Sequence, residues 1–149
     1  MPEIFADVGH CVDAVLRRVG TRIVLALPLG IGKPNPLVNE FYRRALRDPG
    51  IDLSIMTALS LLKPAARSAL EARLVTPLAA RVFGSYVEPE YARALLTGTL
   101  PANVRITEFF LAPGAFLDAP HAQRHYLCAN YTQVARDCLA RGVNVIAQL

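Results

Sequence analysis

Several features are scarce in this sequence, and each scarcity removes a class of protein. No apolar run reaches the roughly 18 residues that a membrane helix needs, so no membrane partner is expected. The opening "MPEIFADVGH" has acidic residues and no basic segment ahead of an apolar core; no secretory signal is visible, and the cytoplasm is the expected compartment. Cysteine is confined to Cys11, Cys128 and Cys138, an odd number set in apolar helical patterns. Reduced core thiols fit that better than a disulfide framework. Lysine occurs only as Lys33 and Lys63, and the positive charge comes from arginines scattered among acids. A nucleic-acid binder would concentrate its basic residues in a stripe with stacking aromatics, so no nucleic-acid partner is expected. The net charge of +4 instead reads as a solvated surface with a mild preference for anions. What remains, at 149 residues with 53% hydrophobic and 19% charged, is one folded domain with a real core.

Hydrophobic spacing orders the chain. Cys11, Val12, Val15, Leu16 and Val19 mark one face of a helix beginning near His10 and closed by Gly20. "RIVLAL", Arg22 to Leu27, reads as a strand ended by Pro28, and its unbroken aliphatic run suits a parallel strand covered on both faces. A helix opens at Asn35–Pro36, with Asn as cap, Leu37, Phe41 and Ala45 inward, and Arg43, Arg44 and Arg47 toward water. "IDLSIMTAL" is a second strand after the Asp48–Pro49–Gly50 turn. Between Lys63 and Arg81, Pro64 and Pro77 predict short helices and an irregular connection. "VEPEYARALLTG" is a helix, "NVRITEFF" a third strand and "LAPGAFLDAPHAQ" a loop. Tyr131, Val134, Ala135, Cys138 and Leu139 form the inner face of a last helix, and "VNVIAQL" is a fourth strand. The alternation predicts an α/β fold, an open, mostly parallel sheet flanked by helices, over residues 1–149. A hydrophobic strand with no closing helix after it suggests a piece of something longer.

"PLGIGKPNP" lies where such folds gather ligands, between a strand and the next helix. Gly30 and Gly32 permit close backbone approach or positive φ. Pro34 keeps Lys33 out of the helical region, and the free N–H groups of the next helix favour an anion nearby. Gly30, Gly32, Lys33, Pro34 and Asn35 are therefore the candidate substrate-binding residues. The alternative is a rigid turn with no ligand, Lys33 capping a neighbouring carbonyl. Neither phosphate motif is met: a Walker loop would need Gly at Leu27 and Ser or Thr at Pro34, and GxGxxG would need Gly at Asn35.

His121 and His125, with Asp118 and Cys128 nearby, have the elements of a zinc site, but Ala122 stands where an HExxH motif needs its glutamate, and no metal is expected. Among Glu40, Glu71, Glu88, Glu90 and Glu108, only Glu108 falls at the end of a predicted strand, where burial would raise its pKa. A solvated or paired carboxylate is the plainer reading there. No GxSxG turn and no Cys–His pair is present.

Two segments, "LALPLGIGKPNPLVNEFYRRALRDPGIDLSIMTALSL" and "NYTQVARDCLARGVNVIAQL", resemble the N-terminal part of acetyl-CoA hydrolase/CoA-transferase family proteins, over about Arg22 to Leu149. The resemblance implies a pair of similar α/β domains. It implies acyl-CoA and a small carboxylate as substrates, with coenzyme A arriving as thioester and no permanently bound cofactor. It also implies a glutamate that forms an acyl anhydride and then a glutamyl-CoA thioester. That glutamate belongs to the half of the family this sequence does not contain; none of the five glutamates matches it, and the catalytic residue here is unknown. A second CoA-transferase domain or subunit, and self-association, are the partners expected. The alternative is a non-catalytic α/β module that binds an anion or a partner chain.

Overall fold

A computed structural model describes residues 2–149. The first helix, α1 (Val8–Val19), starts where the Asp7 carboxylate accepts the His10 N–H at 2.9 Å, two residues before the expected start. It stops at Gly20, whose φ of 92° no side-chain-bearing residue would adopt cheaply. There follow β1 (Arg22–Leu29), a 3₁₀ turn (Gly30–Gly32), α2 (Asn35–Arg47), β2 (Asp52–Ala58), α3 (Ala69–Phe83), α4 (Glu90–Thr97), β3 (Val104–Glu108), α5 (Pro120–Arg124), α6 (Tyr131–Ala140) and β4 (Val145–Ile146).

The four strands form one open sheet, every pair parallel, in the order β3-β2-β1-β4. The expected α/β class is therefore the observed one. The chain steps outward from β1 to β2 to β3, with α2 and α4 packed together on one face. It then returns through α6, on the opposite face, to place β4 on the other side of β1. The strand order reverses at β1. Pro28 does not end β1 as expected: the strand continues to Leu29, but its register with β2 shifts between Ala26 and Leu29, where Pro28 has no N–H to give.

Coverage on both faces does not hold. Ile23, Leu25, Leu53, Ile55, Val104 and Ile106 point to one face and pack with Val12, Phe41, Tyr91 and Leu95 into the main core. The other face has a small cluster of Met56, Ala58 and Phe109 at its carboxyl end, touched by Val134 and Cys138 of α6. Of the inner face expected for α6, Tyr131 and Leu139 are exposed. A capping box of Asn130 and Gln133 starts that helix.

Three further expectations are corrected. Pro77 sits inside one continuous 15-residue helix, because the proline φ suits a helix and the turn loses one hydrogen bond at an exposed position. α3 buries no residue; Leu70, Leu74, Leu78 and Val82 recur at four-residue spacing on its surface. The loop before α6 contains α5, started by Pro120 at the first helical position. Asn35 is not a cap, for its amide turns away to donate to Val87 O at 2.8 Å.

Candidate functional site

The point at which strand order reverses is where open α/β sheets present ligands, outside the strands' carboxyl ends. The 30–35 loop leaves β1 there, and the end of the chain runs beside it: Leu149 N–H donates to Gly32 O at 3.1 Å. Gly30 has a φ of 52° and is buried, with Leu59 3.5 Å from where a Cβ would stand. That turn pushes Ile31 into solvent and sends Lys33 back under the sheet. Lys33 has extended backbone before Pro34, as expected from the proline.

The Lys33 side chain is only 2% exposed. Its Nζ donates to Ala58 O at 2.5 Å and to Leu59 O at 3.0 Å, tying the loop after β1 to the end of β2. Leu59 itself has a φ of 52°, and its N–H donates to Phe110 O, so its carbonyl is turned out of the ladder toward the lysine. Burial lowers the Lys33 pKa from 10.5 to about 8, and the Glu108 charge works against that fall.

Glu108, at the end of β3, is the second buried charge. Its Oε2 accepts the Ser60 N–H at 3.3 Å, while its Oε1 has no hydrogen-bond partner among the described residues. Burial raises its pKa; hydrogen bonds from Ser60 and the Lys33 charge oppose the rise. The Ser60 and Tyr91 hydroxyls share a hydrogen bond of 2.7 Å, and burial followed by the Glu108 charge drives the Tyr91 pKa upward. The cluster thus holds a lysine, a carboxylate, a serine and a tyrosine at the carboxyl edge, shielded from water. Ser60 also lines a groove of about 660 Å³ between the segments that follow β2 and β3, walled by Leu62, Leu96, Pro113 and Phe116.

Four other glutamates are occupied. Glu40 takes Arg44 and Arg47, and Glu90 takes Arg43. Glu88 takes Arg93 and the Lys63 N–H, and Glu71 caps α3 through the Arg67 N–H. Asn35 and Asn39 are buried alongside. Asn39 donates to Glu88 O and accepts the Glu90 N–H, fixing the start of α4 on α2. The His121 and His125 rings lie with centres 4.4 Å apart and planes tilted by 43°, and His121 Nε2 accepts the Ile106 N–H. No group of three or more His, Cys, Asp or Glu among the described residues converges to hold a metal.

No family model, no curated protein and no solved structure matches this chain. Its site is therefore read from its own geometry. Of the five loop residues singled out in the sequence, Lys33 and Asn35 are buried with backbone partners, and Gly30 makes that possible. The sequence had no signal for Ser60 or Tyr91: each joins the cluster through tertiary packing alone.

Proposed function

We propose that this chain is the N-terminal part of an acyl-CoA:carboxylate CoA-transferase or acetyl-CoA hydrolase, with the nucleophilic glutamate supplied by a second domain or subunit. The observation that carries this reading is the position of Gly30–Asn35, the segment central to the resemblance, at the carboxyl end of β1 where the strand order reverses. Exposed Ile31 in that loop and exposed Ile146 on the edge strand beside it support a surface that a second unit covers.

In this reading the chain contributes a wall rather than a nucleophile. Lys33 does not reach the substrate. It holds the loop against the end of β2, so that backbone N–H groups of the loop face the cleft and stabilise the tetrahedral oxyanion, while the N–H groups of the first turn of α2 are bonded to Lys33 O and Pro34 O. Exclusion of water by the second unit decides between transfer to a carboxylate and hydrolysis.

A specific observation favours the second reading, a non-catalytic anion- or partner-binding module: the one lysine of the loop is consumed by two carbonyls. The two are separated by capturing the native polypeptide from source cells, measuring its intact mass, and incubating it with acetyl-CoA before peptide mapping. A mass well above 16.2 kDa, or a co-captured second chain, with a CoA thioester on a glutamate outside residues 1–149 is the result expected. A lone 16.2 kDa chain that forms no thioester would replace the enzyme reading with the module.

A further inference from the structure

Alternate residues of β1, β2 and β3 on the thinly covered face line a groove of about 230 Å³. Arg22, Asp52, Ser54, Arg105 and Thr107 come from the strands, and Arg141 comes from the end of α6. Ser54 stands opposite Arg105 across the β2–β3 ladder, and Thr107 follows two residues on, so two hydroxyls and a guanidinium share one small area. A parallel-sheet face is ordinarily aliphatic, and nothing in folding asks for this set.

Asp52 is the one acid lining the groove, and no ion pair joins it to the arginines there. Arg22, Arg105 and Arg141 have no ion-pair partner among the described residues, although Asp52 is beside Arg22 in register. Thr57 and Ser60 spend their hydroxyls on Pro28 O and Tyr91 Oη, whereas the Ser54 and Thr107 hydroxyls make no such bond among the described residues. Thr107 is 7% exposed as a residue and lines the groove, and its hydroxyl is not among the buried, unpaired polar atoms, so it is open to the groove. The local field is positive: after burial, Arg105, Arg124 and Arg141 each push the His125 pKa down, and His121 is lowered by burial, His125, Arg105 and Arg124.

We propose that this groove binds a tetrahedral oxyanion, a phosphoryl group either free or on a small organic molecule, held by Arg105 and Arg141 with the Ser54 and Thr107 hydroxyls as further donors. Guanidinium groups from two directions and two hydroxyls match four oxygens better than the flat edge of a carboxylate, which a single arginine satisfies. Asp52, in register with Arg22, repels an anion on its own side of the groove and accepts from a hydroxyl of an organic phosphate. The inference is independent of the CoA-transferase reading.

The test is calorimetric and NMR titration of the 149-residue chain with inorganic phosphate and, separately, glycerol 3-phosphate. Saturable binding at millimolar concentrations or below is expected, with the ring pKa values of His121 and His125 rising as the anion offsets the arginine field. Arg105→Gln and Arg141→Gln should each weaken binding about tenfold or more, and the isosteric Thr107→Val about threefold. Arg18→Gln, an exposed arginine on α1, should leave it unchanged. Equal affinity for the two probes identifies the phosphoryl group alone as the ligand, and tighter glycerol 3-phosphate identifies an organic phosphate. Absence of saturation, retention of binding in the Arg105/Arg141 double variant, or equal weakening by Arg18→Gln overturns the proposal.

Discussion

The two faces of the sheet are made from neighbouring residues of the same strands, yet they are built to different ends. On one, Ile23, Leu25, Leu53 and Ile55 meet α1, α2 and α4 in a continuous core. On the other, one position along, Arg22, Ser54 and Arg105 stand over a polar groove, and only the carboxyl end packs under α6. Because side chains alternate along a strand, one register serves both purposes. Stability is concentrated on the first face, which leaves the second free for chemistry that a core would forbid.

The comparison is broken most sharply by substitutions on adjacent residues of β2. Ile55→Ala, into the core, should cost about 3–4 kcal/mol by urea unfolding. Ser54→Ala, facing the other way, should stay within about 0.5 kcal/mol. Similar losses from both would mean that the groove face carries as much of the fold as the core face.

Nearly as large is the effect expected from the charge beneath the first face. Lys33 titrates at about 8 in the folded chain and 10.5 in the unfolded one, so the unfolded chain binds more protons between those values. Stability should therefore rise with pH through that window, by about 3 kcal/mol at most. Lys33→Met should flatten the rise. Glu108 acts in the opposite sense: with its folded pKa raised above 4.5, its contribution falls as pH increases through that interval. Glu108→Gln should remove that fall, and an unchanged stability profile in both variants would show that neither group is held as described.

Smaller again is the anchoring of α6. Asn130→Ala removes the side-chain half of its capping box and should cost about 1 kcal/mol. Hydrogen exchange should show the loss confined to α6, with β1 and β2 unaffected; a uniform loss would mean that both faces unfold as one unit.

What could be read in the sequence follows from where local physics decides. Alternating strand and helix patterns, the glycine stops at Gly20 and Gly98, and the acids of the α4 start are local signals, and α2, β2 and α4 lie where their patterns fall, whereas the strand expected in "VNVIAQL" is only Val145–Ile146. Asn35 is different: a cap and a buried amide donor are both good uses of asparagine, and the nearby Val87 carbonyl decides between them. Pro77 breaks a helix only when the lost hydrogen bond is not offset, and no periodicity reveals that. The polar residues of Arg22, Ser54 and Arg105 are visible in the strands, but their grouping depends on the β3-β2-β1 order. Lys33 was open to either reading, and only the twist of Leu59 supplies the carbonyl that claims it.

The scarcity of lysine gives that residue a further use. Of the two primary amines among the side chains, Lys63 is half-buried and Lys33 is enclosed. An amine-acylating reagent at neutral pH can modify Lys33 only in molecules whose loop has lifted from β2. The rate of that modification, followed by mass spectrometry against Lys63 as internal standard, is then a clock for the lifting of the loop from β2, readable without any mutation.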